Sequence, residues 1–154
     1  MMTELSLKTF EMDEVLKDDA FVARLRQLSL GGFSGMNVAL NAFIAEKDNR
    51  HIDAKAIVAY MVDKHGLGEN LSNARGWALW TKDESTDRFR KKSGIIFQVY
   101  VESSYRRQGI ASKLLKKAVA LSGNEPTMVY WHDEPDFFQR HQDEGYNIVN
   151  IYNY

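Results

Sequence analysis

The clearest pattern of hydrophobic and polar positions lies between residues 95 and 121. From Ile95 to Val101, β-branched and aromatic residues follow one another with little alternation, which predicts a central strand buried on both faces. From Ile110 to Leu121, apolar residues recur every three or four positions with lysines between them, which predicts an amphipathic helix. A short basic turn joins the two segments. The pattern therefore predicts a strand, a turn and a helix in immediate succession.

In the first half of the chain, helical spacing predominates. Alternation over Leu5–Lys8 predicts a first strand. Asp13 is a candidate cap for the helix that follows it, and a break is expected near Asp18 and Asp19. The spacing of apolar residues predicts three helices, the first over Asp13–Leu30, the second from Val38 to near Lys47–Asn49, and the third over Ala54–His65.

The second half predicts the rest of a sheet. Trp77–Trp80 is a predicted strand that forms an antiparallel hairpin with the strand at Ile95–Val101. Thr127–Trp131 is expected to run parallel to the latter, because a right-handed helical crossover joins the two. Asp136–Asp143 then predicts a short helix and Tyr146–Tyr152 a last strand. The order of elements predicts an α/β fold, a mixed sheet flanked by helices.

Composition narrows the class of protein. The 154 residues, 44% of them hydrophobic, predict one domain over residues 1–154. The net charge of −1 gives no general footprint for nucleic acid or for an anionic membrane. The absence of cysteine excludes disulfides, a thiol nucleophile and a cysteine zinc site. With neither a leader nor a bilayer-length apolar run, a soluble cytoplasmic protein is expected, with no membrane partner and no metal.

The basic turn has the character of a pyrophosphate cradle. Gly109 and the small Ala111, at the start of a helix, let backbone N–H groups converge on an anion beside the positive helix end. The plain alternative is a crossover loop in which Gly109 serves only a tight turn and the basic side chains are solvated. A P-loop is excluded because no Gly-Lys-Ser or Gly-Lys-Thr occurs, and the dinucleotide fingerprint lacks its three spaced glycines.

The same residues resemble a known family. Its signature is Arg or Gln, two residues, Gly, one residue, then Gly or Ala, and here it stands as Arg106-Arg107-Gln108-Gly109-Ile110-Ala111. Val101 at the end of the strand, Tyr105 before the arginine and the Leu114-Leu115 pair also match. In the region Ile95–Leu121 the chain thus resembles the GNAT family of acyl-CoA-dependent N-acetyltransferases.

The resemblance implies a GNAT-like fold, mostly antiparallel, in which two neighbouring parallel strands splay apart to admit acetyl-CoA as the acyl donor. The pantetheine would bond to the backbone of the first splayed strand, and the pyrophosphate to backbone amides of the turn and helix. Arg106, Arg107 and Lys113 would add charge-assisted contacts. A side chain at Gly109 is expected to obstruct the phosphates. The residues implied to bind acetyl-CoA are Val99, Val101, Arg106, Arg107, Gln108, Gly109, Ile110, Ala111, Ser112 and Lys113.

Transfer to nitrogen requires a neutral amine, and an ordinary lysine-like amine is neutral in only about 1 in 2,500 molecules at pH 7. Glu102, or His132 with its neighbours Asp133 and Glu134, is therefore a candidate proton acceptor, each with an exposed loop charge as the plain alternative. Many family members carry a tyrosine four residues before a Gly-aromatic pair, which protonates or orients the leaving thiolate. In this chain that position is His141, which is either a substitute for the tyrosine or a surface histidine.

The expected function is therefore acetyl transfer from acetyl-CoA to a primary amine, by direct attack in a ternary complex. The acceptor is a small molecule or a protein, and the family resemblance also allows a homodimer. One alternative is a non-catalytic protein of the same fold that binds CoA or a protein partner. A third is a nucleic-acid-binding domain that uses residues 88–92 and 106–117, which the balanced charge disfavours.

Overall fold

The structure, a computed structural model, describes residues 4–30, 53–62, 70–83, 93–129 and 135–150. Within these ranges six strands form one sheet, in the spatial order β1-β2-β3-β4-β5-β6. The elements in chain order are β1 (Glu4–Glu11), α1 (Met12–Leu16), α2 (Asp19–Leu30), β2 (Ala54–Val62), β3 (Ala74–Asp83), β4 (Ser93–Val101), α3 (Ile110–Leu121), β5 (Thr127–Val129), α4 (Pro135–Asp143) and β6 (Ile148–Asn150).

The sheet is mixed, as the sequence predicts. Strands β1 to β4 pair in an antiparallel manner, whereas β4 with β5 and β5 with β6 pair in parallel. Two apolar layers cover the sheet. Residues of α1 and α2 belong to the cluster on one face, and residues of α3 and α4 belong to the cluster on the other. The parallel pairs follow from the two crossover helices, which return the chain to the same end of the sheet.

The helix predicted over Ala54–His65 is wrong, because its described part is strand β2. This strand lies between β1 and β3. Ala56 and Val58 face the α1–α2 layer, whereas Ile57 and Ala59 face the α3–α4 layer. Since both faces are apolar, the alternation that marks a half-buried strand is lost, and the apolar residues fall by chance at helical spacing.

The predicted break between the first two helices is confirmed at residues 17 and 18. The cap differs from the prediction: Asp18 Oδ1 accepts a hydrogen bond from the Phe21 amide at 3.0 Å, at the start of α2. Asp13 instead lies in the first turn of α1, which begins at Met12. The helix predicted from Val38 to near Lys47–Asn49 lies outside the described residues.

A small ionic cluster joins β1 to β2. Lys55 Nζ pairs with Glu11 and lies 3.1 Å from Asp53 Oδ1. The hydrogen bond to Glu11 is the largest influence and raises the pKa of Lys55, burial opposes it, and Asp53 also raises it.

Replacing Lys55 with methionine should lower the free energy of unfolding by about 0.5–1 kcal/mol at pH 7, since both carboxylates are about half exposed. The folded pKa of Lys55 lies above its unfolded value. The stabilisation is therefore complete below the unfolded pKa and is lost as the pH rises through the folded pKa. Denaturant unfolding should show the difference shrinking as the pH rises past the ordinary lysine pKa of about 10.4. A Lys17→Met control at an exposed position should change little at either pH.

Candidate functional site

A bulge interrupts β4 near its middle. Strands β4 and β5 pair only at Gly94, Ile95 and Ile96 among the described residues. On the other side of β4, Leu79 pairs with Gln98 but Trp80 pairs with Ile96, so that β4 has one extra residue, Phe97. A bulge of this kind bends the strand that carries it. The bulge at Phe97 directly follows Ile96, the last residue of β4 whose pairing with β5 is described.

Backbone groups near the end of β4 alternate between the β3 side and the opposite side of the strand. The Glu102 amide donates to Arg75 O on the β3 side at 2.8 Å. In an antiparallel ladder the direction of the backbone groups alternates, so Tyr100 also bonds toward β3. The N–H and C=O of Val99 and Val101 therefore point to the opposite side, away from β3. These are the strand residues predicted to bind pantetheine.

Arg106 turns back onto the end of this strand. Its Nε donates to Val101 O at 2.9 Å, and its guanidinium carbon lies 5.9 Å from the centre of the Tyr100 ring. The carbonyl of Val101 thus has a partner within the chain, whereas the described residues supply none for the Val101 amide or for the two backbone groups of Val99. Arg106 fixes the end of β4 beside the turn, in addition to the charge that it brings to the site.

The turn before α3 has the backbone of an anion-binding nest. Arg107 and Gly109 both have left-handed backbones, with φ of 66° and 78°. Alternation of this kind draws successive N–H groups toward one point. The Lys113 amide donates to Gly109 O at 3.1 Å, so the amides of Ile110 to Ser112 have no acceptor within the helix. A Cβ added at Gly109 would meet nothing within 4 Å, so the space that a ligand needs is open.

A cleft of about 190 Å³ lies against this turn. Seven of the predicted binding residues line it, namely Val101, Arg106, Arg107, Gly109, Ile110, Ala111 and Ser112. Val99, Gln108 and Lys113 are not part of its lining.

Helix α4 contributes two lining residues that the sequence reasoning missed, Phe137 and Arg140. The guanidinium carbon of Arg140 lies 5.8 Å from the centre of the Phe137 ring. Their spacing of three residues on one helix face is the signal in the sequence that places them side by side. Among the described residues, the lining includes three arginines and no carboxylate, which favours an anionic ligand.

Glu102 is held in an ion-pair cluster at the end of β4. Arg24 Nη2, from α2, donates to Glu102 Oε1 at 2.7 Å and to Ala74 O at 3.0 Å. Arg75 Nη1 lies 3.7 Å from the same carboxylate oxygen. The Glu102 side chain is 27% exposed. Both ion pairs use Oε1, so Oε2 is the oxygen through which Glu102 would accept a proton.

His141 is a buried residue, only 2% exposed, and not a surface histidine. Its Nδ1 lies 2.8 Å from Phe137 O, and its Nε2 lies 3.0 Å from Ser112 Oγ on α3. Both ring nitrogens are therefore engaged by the protein. His132, Asp133, Glu134 and the basic tract at 88–92 lie outside the described residues.

Two features are absent from the described residues. Across these ranges, no group of three or more His, Cys, Asp or Glu side chains is arranged to hold a metal ion. None of the described helices is long and apolar enough to cross a membrane.

Residues 35–146 match the model of the Acetyltransferase (GNAT) family. No match was found among curated proteins. Similar solved structures include an aminoglycoside acetyltransferase from an uncultured soil metagenomic sample, in complex with sisomicin (18% identity, 91% of this chain and 86% of that chain covered, TM-score 0.56). A second is glucosamine-6-phosphate N-acetyltransferase from Arabidopsis thaliana (15% identity, 90% of each chain covered, TM-score 0.54). A third is ribosomal-protein-alanine N-acetyltransferase from Brucella melitensis biovar Abortus 2308 (12% identity, 92% of this chain and 90% of that chain covered, TM-score 0.52). At these identities the likeness concerns the fold.

Proposed function

Because the chain belongs to the acetyltransferase (GNAT) family, we propose that it transfers an acetyl group from acetyl-CoA to a primary amine. The observation that carries the proposal is the left-handed turn at Arg107 and Gly109, which opens α3 beside an arginine-lined cleft. Nest amides and a helix N-terminus suit a pyrophosphate. The absence of cysteine agrees with action in a reducing cytoplasm.

Acetyl-CoA would lie along the opening beside β4. Its pantetheine amides would bond to the free backbone groups of Val99 and Val101. Its pyrophosphate would bond to the amides of residues 107–112, with Arg107 and Arg140 close enough to the cleft to add charge. A charge-assisted hydrogen bond of this kind contributes about 1.5–3 kcal/mol when it is shielded from water.

In the transfer step, the neutral amine nitrogen attacks the thioester carbonyl carbon. A C–N bond forms, the C–S bond breaks, and the electron pair of that bond leaves with the sulfur. The amine loses a proton, which we assign to Glu102 Oε2 directly or through water. Arg24 holds Oε1 of the same carboxylate and so orients the acceptor oxygen. The thiolate takes up a proton from solvent, because both nitrogens of His141 are engaged.

The similar structures carry names with three different kinds of acceptor, an aminoglycoside, a sugar phosphate and a protein alanine. Two of these names, those of the sugar-phosphate and alanine enzymes, specify transfer to nitrogen. We therefore keep the acceptor at the level of a primary amine, on a small molecule or on a protein.

The test is release of CoA thiol from acetyl-CoA in the presence of a panel of polyamines, amino sugars and peptides with free α-amines. At least one amine should give acceptor-dependent thiol release and a product heavier by one acetyl group. If acetyl-CoA binds but every acceptor fails, the transferase assignment is contradicted.

With an acceptor in hand, Glu102→Gln should lower kcat by about 100-fold, the lower end of what a positioned general base contributes. The KM for acetyl-CoA should change little, because Glu102 is not part of the cleft lining. Arg24→Gln is the matched control, since it removes the ion pair and keeps the carboxylate. If the Glu102 and Arg24 variants lose the same activity, the ion pair and not proton transfer explains the loss.

A CoA-binding protein without transferase activity is the second candidate. One observation favours it: the position at which many family members carry a tyrosine is the buried His141, bonded at both nitrogens. In that case acetyl-CoA would bind, but no amine of the acceptor panel would cause release of CoA thiol. Glu102 would then have only its structural role between Arg24 and Arg75.

A further inference from the structure

The hydrogen bonds of His141 determine where its ring proton lies. The carbonyl oxygen of Phe137 can only accept, so Nδ1, at 2.8 Å, is the nitrogen that carries hydrogen in the neutral ring. Nε2 is then an acceptor, and the hydroxyl of Ser112, at 3.0 Å, is its donor. The single hydrogen of Ser112 therefore points at His141 when the imidazole is neutral.

Ser112 is also part of the cleft lining, in the first turn of α3. A bound phosphate presents only acceptors. Ser112 can therefore donate a hydrogen bond to it only if the hydroxyl hydrogen turns away from His141. Nε2 would then be a buried acceptor without a donor, which is unfavourable. A second proton on the ring removes the conflict, because Nε2–H donates to Ser112 Oγ while Ser112 donates to the phosphate.

We propose that His141 is a positioning residue that acts on the ligand through Ser112, and that phosphate binding in the cleft is linked to uptake of a proton by His141. The identification of the ligand as CoA rests on the proposed function. The linkage itself depends only on a phosphate beside Ser112.

The charged groups around the His141 ring influence its uptake of a proton. On α4, Arg140 stacks near Phe137, whose ring lies 4.6 Å from that of His141. Beyond α4, the Tyr146 ring lies 6.1 Å away, with Lys116 of α3 5.6 Å from its centre. The charged groups that these contacts bring near the ring are cations. An entering phosphate therefore supplies negative charge that favours the second proton.

The experiment is calorimetric titration of the full chain with CoA, in buffers of different ionisation enthalpy, from pH 8 to pH 6. His141→Gln is the decisive variant, because a glutamine oxygen accepts the Ser112 hydrogen as Nε2 does but takes up no proton. The wild-type protein should take up more protons on binding CoA than the variant does. From pH 8 to pH 6, the gain in its affinity for CoA should also be about tenfold larger than the gain of the variant. Protons taken up by the ligand or by other histidines cancel in the difference.

Equal proton uptake and parallel pH profiles in the two proteins would overturn the inference. Ser112→Ala provides a second variant should His141→Gln fail to fold. It keeps the imidazole and removes the hydroxyl, so the extra uptake should disappear, and its persistence would equally overturn the inference.

Inorganic pyrophosphate separates this inference from the proposed function. If CoA fails to bind but pyrophosphate binds with uptake that depends on His141, the linkage stands and the acetyl-CoA assignment fails. If neither ligand binds at any pH, both fail.

Discussion

Replacing Gly109 with glutamate is expected to weaken acetyl-CoA binding by at least about 100-fold. The added side chain would project into the open space beside the nest amides. A carboxylate there would face the pyrophosphate, and juxtaposed like charges cost several kcal/mol, of which about 2.7 kcal/mol corresponds to 100-fold. Calorimetry with acetyl-CoA measures the loss, and circular dichroism confirms that the variant is folded.

Gly123→Glu is the matched control for this change. Gly123 follows the other end of α3, has a φ of 63°, and also has nothing within 4 Å of an added Cβ. Both substitutions force a non-glycine residue into the left-handed region, at a cost of about 1–2 kcal/mol of stability. Only Gly109→Glu should lose acetyl-CoA. Comparable losses of affinity in both variants would mean that general destabilisation, and not the cradle, explains the result.

Replacing Gly94 with alanine is expected to lower the free energy of unfolding by about 3–5 kcal/mol, from overpacking together with disrupted buried hydrogen bonds. An added Cβ would lie 2.0 Å from Ser122 Oγ and 2.5 Å from Trp80 Nε1. Ser122 Oγ accepts hydrogen bonds from Trp80 at 3.1 Å and from Thr127 at 2.6 Å. The serine can move only by losing both donors. Urea denaturation measures the effect.

A double-mutant cycle with Ser122→Ala tests this cause. Ser122→Ala removes the atom nearest to the added Cβ, so Gly94→Ala should cost about 1–2 kcal/mol less in that background than in the wild type. If the losses in the free energy of unfolding caused by Gly94→Ala and Ser122→Ala are additive, the contact with Ser122 is not the origin of the instability.

The strand, turn and helix of the candidate site were predictable because they are contiguous in the chain. Local sequence indicates each of these features: the apolar run of β4, the turn at Gly109 and the amphipathic face of α3. The structure confirms the strand, the left-handed turn and the helix. Strand β2 was not predictable by periodicity, because neighbouring strands and two apolar layers surround it. Its β-branched residues were the weaker cue that favoured a strand.

The partners of the candidate catalytic residues were beyond the reach of the sequence. Arg24 and Glu102 are 78 positions apart, and His141 and Ser112 are 29 apart. Nothing local to Glu102 indicates that an arginine of α2 occupies one of its oxygens. Likewise, the spacing that aligned His141 with the family tyrosine does not reveal its burial. Such contacts arise only when the crossover helices and α2 dock on opposite faces of the sheet.

The central claim is that the backbone amides of the turn before α3 hold the pyrophosphate of acetyl-CoA. The most direct measurement is a titration of the 15N-labelled protein with acetyl-CoA, followed by the chemical shifts of assigned amides. The account predicts the largest changes at residues 107–112, with further changes at Val99 and Val101. Saturable binding that leaves the amides of 107–112 unmoved would contradict it.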